Sequence, residues 1–130
     1  MSTHVRSATS MVAQAKAGIE NLTPAQVAAE LRRSGVVLVD LRERDELVRD
    51  GMIDGAIHVP RGLLEFVADP SHPYHNPKLS PAARVILHCA SGGRSALAAS
   101  TLKDMGYPSV AHLDGGFTAW KVQGHPITMA

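Results

Sequence analysis

Cysteine is nearly missing from this chain of 130 residues: there is one, Cys89. A single cysteine excludes an intramolecular disulfide, and the expected compartment is a reducing one, the cytoplasm. Neither sign of charge dominates, since 13 Lys and Arg face 12 Asp and Glu for a net charge of +1. Nucleic-acid binders carry a basic stripe, and none is present. The densest basic cluster, Arg42, Arg44 and Arg49, is interrupted by Glu43, Asp45 and Glu46 and reads as a solvated, salt-bridged helix face. No nucleic-acid partner is expected. There is no run of about 18 apolar residues, so no membrane span is expected. The N-terminus lacks the apolar core of a secretory signal. Residues 1–19 hold Arg6 and Lys16 and no acid, a faint likeness to an organelle transit peptide, but a docked or frayed helix is the preferred reading. Internal repeats are absent.

The hydrophobic content, 45%, suits one domain with one core. Helix and strand signals alternate from about residue 23. Thr23-Pro24 with Gln26 is a capping box with proline at the first helical position, and Gly35 is expected to close that helix. Val36-Val37-Leu38-Val39 is all apolar and β-branched but for one residue, the pattern of a strand buried on both faces. A polar helix follows to Asp50, capped by Gly51. Ala56 to Val59 is a second strand, and Gly62 to Ala68 a helix. Residues 69–81 hold four prolines and form a surface loop. Arg84 to His88 is the clearest central strand, followed by a Gly-rich turn and a helix from about Arg94 to Met105. Ser109 to Leu113 is a strand, and the last helix covers Phe117 to Val122. This alternation predicts an α/β fold: a central parallel sheet of five strands with helices on both faces. Residues 1–22 are expected to be an N-terminal extension, helical or partly ordered, and residues 23–130 the α/β domain.

In open α/β sheets chemistry sits at the carboxyl ends of the strands. There the chain reads His88-Cys89-Ala90-Ser91-Gly92-Gly93-Arg94-Ser95. Cys89 lies between a buried strand and a helix N-terminus. The glycines permit positive φ, so that successive N–H groups turn inward as an anion-binding nest backed by the helix dipole. A helix N-terminus contributes roughly 0.3–2 kcal/mol, and each N–H bond to a charged acceptor about 1.5–3 kcal/mol. One or two amides therefore suffice to stabilise a thiolate without a general base, and Arg94 adds a positive charge. The bland alternative is a cysteine packed as a small hydrophobe. The Ser-Gly-Gly-Arg that follows at once argues against it.

Four ordered segments make the chain resemble the rhodanese family across about residues 20–126. They are Val36–Arg42, Gly51–Pro60, the Cys89–Arg94 loop, and Leu113-Asp114-Gly115-Gly116-Phe117-Thr118-Ala119-Trp120. The resemblance implies a rhodanese-like domain and a sulfurtransferase working through a Cys89 persulfide. It implies that Ala90, Ser91, Gly92, Gly93, Arg94 and Ser95 hold the persulfide and the donor anion. It also implies that Asp40 and Arg42 form a structural ion pair. The donor is expected to be a small anion such as thiosulfate, or a persulfide. The acceptor is expected to be cyanide, a thiol or a protein thiol. The family often has His where Met52 stands, and some members carry a basic residue where this chain has Ala90.

Arg61 follows a strand end and is a further candidate for an anionic donor. Arg94 is expected either to face the pocket or to turn to a carboxylate such as Asp114. His88 precedes the nucleophile and is expected to face away from it. His58 and His112 end short strands and are candidates for the pocket edge. His72 and His75 lack a third ligand, so no metal is expected, and no cofactor. Trp120 reads as a core anchor. Two rival functions remain. One is a cysteine-loop phosphatase or arsenate reductase, which would need five residues between Cys and Arg where this chain has four. The other is a sulfur-carrier or regulatory module acting with a protein partner.

Overall fold

The structure is a computed structural model that describes residues 5–129. In chain order its elements are α1 (Ala8–Ala17), β1 (Glu20–Leu22), α2 (Pro24–Glu30), β2 (Val36–Asp40), α3 (Arg44–Asp50), β3 (Ile57–His58), a 3-10 turn at Arg61–Leu63 leading into α4 (Leu64–Ala68), β4 (Arg84–His88), α5 (Gly93–Asp104), β5 (Val110–Leu113) and α6 (Gly116–Val122). The five strands found among the described residues form one sheet in the order β1-β5-β4-β2-β3. Every pairing is parallel.

The apolar runs act as predicted. Side chains alternate across a strand, so Val39, Val85 and Leu87 pack on one face with Leu64 of α4 and Leu102 of α5. Leu38 and Ile86 pack on the other with Val27 of α2 and with Phe117 and Trp120 of α6. Helices therefore cover both faces. β4 is central, and its carboxyl end delivers Cys89.

Local signals explain most element ends. Thr23 Oγ1 accepts the Gln26 N–H at 3.2 Å, and Gln26 Oε1 accepts the Thr23 N–H at 2.9 Å, completing the expected capping box. Gly51 ends α3, its N–H donating to Leu47 O at 2.9 Å. Proline-rich residues 69–81 form turns. The Tyr107 hydroxyl pins both ends of that stretch, shared between Ala68 O at 2.8 Å and Leu79 O at 2.9 Å.

Several expectations change. The helix α2 stops at Glu30, well before Gly35, and the chain turns through residues 31–35 instead. The strand expected over Ala56–Val59 shrinks to Ile57–His58. Arg42 does not belong to the solvated cluster: it precedes α3 and is 1% exposed. The edge strand β1 had no signal of its own, and it pairs with β5 through Glu20–Ala111, Asn21–His112 and Leu22–Leu113. The sheet therefore begins before residue 23, where the α/β domain was expected to start. Ahead of β1, the helix α1 packs on α5. Lys103 Nζ donates to Gly18 O at 2.6 Å, and Lys16 pairs with Asp114 at 2.8 Å. No helix of the described residues is long and apolar enough to cross a membrane.

Candidate active site

Cys89 leaves β4 and is followed by the loop that opens α5. The N-cap of α5 is Gly92, with φ +110°, a conformation that a side chain would strain. That turn folds the Gly92 N–H back onto Cys89 Sγ at 3.2 Å. Among the described contacts it is the one loop amide that reaches the sulfur. Gly93, Arg94 and Ser95 form the first turn of α5, where N–H groups have no intrahelical acceptor. Those amides are available to an anion. Cys89 itself is 1% exposed.

The loop is gripped from behind by α6. Phe117 N–H donates to Cys89 O at 2.8 Å, and Thr118 N–H donates to Ala90 O at 3.0 Å. The approach is so close that a Cβ on Gly116 would stand 2.5 Å from Ala90 O, and Gly116 has φ +62°. This accounts for the second glycine of the Asp-Gly-Gly-Phe segment.

A buried ionic frame supports the same edge. Asp40 accepts from Arg42 Nε at 3.0 Å and from Nη2 at 2.8 Å, and Nη2 also donates to Gly51 O at 2.8 Å. The guanidinium lies 4.1 Å from the centroid of Phe117, the residue whose N–H holds Cys89 O. Burial pushes the Asp40 carboxyl up, but the Arg42 hydrogen bonds and the neighbouring charges prevail and hold it below the ordinary carboxylate value. The expected structural pair is therefore present. His88 stacks on Phe117 at 6.3 Å and stands 3.5 Å from Asp40 Oδ2. Burial pulls its imidazole below the usual value against the pull of Asp40, which leaves it a neutral wall residue.

Arg94 does not turn to Asp114. Its Nη1 and Nη2 donate to the two carboxylate oxygens of Glu46, each at 2.8 Å, tying the start of α5 to the start of α3. Those hydrogen bonds, the largest influence on Glu46, hold its carboxyl down at about 2. Arg61 is held elsewhere too. It bonds Glu65 at 2.8 Å and lines a cavity of about 540 Å³ between α1 and α5, with Gln14, Leu97 and Thr101. Cys89 does not line that cavity. His58 bonds Arg42 O at 2.6 Å, and His75 bonds Val67 O at 2.8 Å. Trp120 is a core residue whose Nε1–H donates to Pro126 O at 2.8 Å. The described residues contain no cluster of three metal-ligating side chains.

Of the histidines weighed, His112 is the one brought to the sulfur. Ser95 Oγ lies 3.6 Å from Cys89 Sγ and 2.9 Å from His112 Nδ1, and His112 Nε2 lies 2.8 Å from Asn21 Oδ1. Asn21 on β1 and Glu46 on α3 were not singled out from sequence. Asn21 sat in the unrecognised strand, and Glu46 looked like a solvent-facing acid.

The model of the rhodanese-like domain matches residues 23–123. The chain belongs to the rhodanese-like family. A sulfurtransferase of Allochromatium vinosum is 35% identical over 92 residues, covering 71% of this chain and 78% of its own. The thiosulfate sulfurtransferase GlpE of Stutzerimonas stutzeri is 33% identical, covering 75% and 82%. Among solved structures, a Rhodopseudomonas palustris protein of unknown function, named a possible tyrosine phosphatase, is 43% identical with a TM-score of 0.90, covering 98% of both chains. The polysulfide-sulfur transferase homodimer of Wolinella succinogenes is 30% identical with a TM-score of 0.75, covering 92% of this chain and 85% of its own.

Proposed function

We propose that this rhodanese-like domain is a sulfurtransferase whose nucleophile is Cys89. The observation that carries the reading is the Gly92 N–H, at the N-cap of α5, donating to Sγ at 3.2 Å. The Cys89 thiolate attacks the outer sulfur of thiosulfate. The S–S bond of the donor breaks with its electron pair on sulfite, and a Cys89 persulfide anion remains. Cyanide or a thiolate then takes the terminal sulfur, giving thiocyanate or a new persulfide, and Cys89 returns as thiolate. The terminal sulfur sits about 2 Å from Sγ, within reach of the amides of the Ala90–Ser95 loop. Ala90 supplies no charge, and Arg94 is engaged by Glu46, so recognition of the donor falls mainly to those amides. That suits a thiol-borne persulfide as well as thiosulfate, and a protein thiol as acceptor. A reducing compartment such as the cytoplasm suits a nucleophile that must stay a free thiol.

The Rhodopseudomonas palustris name favours a second reading, phosphatase. The loop argues against it. Four residues stand between Cys89 and Arg94, one fewer than a phosphatase loop, which shortens the contour by up to about 3.5 Å. A bound phosphate within covalent reach of Sγ then lacks room, whereas one sulfur atom fits.

Incubation with thiosulfate followed by intact-protein mass measurement tests the proposal. Wild type should gain the mass of one sulfur, and Cys89→Ser should gain nothing while keeping its fold. Sulfur transfer that survives Cys89→Ser, or turnover of an aryl phosphate without persulfide formation, would overturn the reading.

A further inference from the structure

The thiol of Cys89 is 1% exposed, so water is a poor acceptor for its proton near neutral pH. A hydrogen-bonded chain leads from it instead, and its direction is fixed from the far end. Asn21 Nδ2 donates to Lys16 O at 2.9 Å and to Ile19 O at 3.1 Å, which turns Asn21 Oδ1 toward His112 as an acceptor. His112 Nε2, at 2.8 Å, must therefore carry a proton and donate it. In the neutral ring Nδ1 is then a bare acceptor. Ser95 has one hydroxyl proton and two acceptors in range, Nδ1 at 2.9 Å and Gly92 O at 3.3 Å, and the shorter contact takes it. Ser95 Oγ is left with lone pairs toward Cys89, and the S–H donates to it at 3.6 Å.

We infer that Ser95 and His112 form a proton relay that holds the Cys89 proton while the sulfur works as a thiolate. The inference rests on the reading of Cys89 as the nucleophile. In the transfer the S–H bond breaks and an Oγ–H bond forms, while the former Oγ–H bond breaks and an Nδ1–H bond forms. The net result is Cys89 thiolate and His112 imidazolium, with Ser95 Oγ–H now donating to Sγ. The imidazolium keeps both its donors satisfied, Nδ1–H to Ser95 and Nε2–H to Asn21. It remains in place through the cycle, as a counter-charge first to the thiolate and then to the persulfide anion. Ser95 touches the reacting sulfur. His112 acts through it and is a positioning residue.

The surroundings agree. Ser95 and His112 are both fully buried. The charged groups facing His112 are Asp114, which follows β5, and Lys16 on α1, and these pair with each other at 2.8 Å. Burial pulls the imidazole below its usual value, Lys16 adds to this and Asp114 opposes it, so the resting ring is neutral with Nδ1 free to accept, and the imidazolium of the relay is held only as a pair with the thiolate or persulfide anion beside it.

The test reads the thiol directly. Iodoacetamide alkylation of Cys89 is followed against pH in wild type, Ser95→Ala, His112→Asn and the double variant. In His112→Asn the amide oxygen takes the place of Nδ1, accepting the Ser95 proton without accepting a second. Alkylation at neutral pH should fall roughly tenfold or more in each single variant. It should return to the wild-type rate at alkaline pH, where solvent removes the proton, and the double variant should lose no more than either single one. A wild-type rate in His112→Asn at neutral pH, or a loss that persists undiminished at alkaline pH, would overturn the relay. If Ser95→Ala does not fold, His112→Asn decides alone. Persulfide formation from thiosulfate is measured in parallel. A wild type that takes no sulfur yet shows the shifted alkylation profile would sink the sulfurtransferase reading and leave the relay standing.

Discussion

Replacing Arg94 separates a strut from a pocket residue. Each of its two terminal nitrogens donates to one oxygen of Glu46 at 2.8 Å, a bidentate pair between the first turns of α5 and α3. A hydrogen bond between charged groups contributes about 1.5–3 kcal/mol when well sheltered. The Arg94 side chain is 40% exposed, however, and Glu46 is 18% exposed, so solvent screens the pair, and a net contribution of roughly 1–2 kcal/mol is expected. For a domain of this size that lowers Tm by roughly 3–10 °C. Arg94→Lys should lose most of this, because a lysine lacks the planar fork.

The pH dependence follows from Glu46. Its folded-state carboxyl is held at about 2, below its usual value. A depressed carboxylate contributes stability in full above its unfolded value and loses it as the pH falls toward the folded one. The gap in Tm between wild type and Arg94→Ala should therefore be constant from pH 6 to 8, shrink below about pH 4.5 and close near pH 2. Thermal unfolding followed by circular dichroism measures it. Persulfide formation and sulfur release should slow together in both variants, as the loop loses its anchor. An unchanged Tm, combined with selective weakening of an anionic donor, would refute the strut and return Arg94 to the pocket.

Asp40→Asn should destabilise by about 3–5 kcal/mol, because it strips the buried Arg42 of its counter-charge; urea unfolding reads this, and an effect below about 1 kcal/mol would mean the pair is solvated. The Asp40 contribution should be complete above about pH 4 and lost in acid, since Arg42 holds the carboxyl below its usual value. Gly116→Ala should cost roughly 2 kcal/mol or more and disable sulfur transfer, because the new methyl meets Ala90 O at 2.5 Å and must displace the loop or α6. A Gly116→Ala protein with wild-type melting and activity would show that the grip of α6 on the loop is dispensable.

What the sequence made legible, and what it did not, follows from how far each signal reaches along the chain. Apolar runs announce strands whose faces are both buried, and β2, β4 and β5 were read within a residue or so. The Cys89 loop was read because its chemistry is local: a cysteine, two glycines and a helix start lie within seven residues. Glu20–Leu22 carries no such signal. It is an edge strand, exposed at Glu20 and Asn21 with only Leu22 buried, and its apolar pattern is too short to stand out from a loop. The salt-bridged α3 face misled for a related reason: an acid and a base in one polar run look solvated, and nothing local says that Arg42 is sealed beneath Phe117 or that Glu46 waits for Arg94, 48 positions on.

The missed strand and the missed site residue are one omission. Because β1 pairs with β5 in register, Asn21 stands directly beside His112, and its side chain decides which nitrogen of that ring bears the proton. Without β1, His112 is a histidine at a strand end with either tautomer open, no better a candidate than His58. With β1 in place, Nε2 is committed as a donor, Nδ1 becomes the acceptor, and the Ser95 hydroxyl that follows Arg94 gains a defined direction. A three-residue edge strand with one buried side chain adds little to the core, yet it orients the chain of hydrogen bonds that ends on the sulfur. Asn21→Ala should therefore act on the chemistry more than on the fold. Stability should change by no more than about 1–2 kcal/mol, or roughly 3–10 °C in Tm, while the pH profile of Cys89 alkylation shifts in the same direction as in His112→Asn. A profile identical to wild type would show that the ring holds its tautomer without Asn21, and would detach the strand from the site.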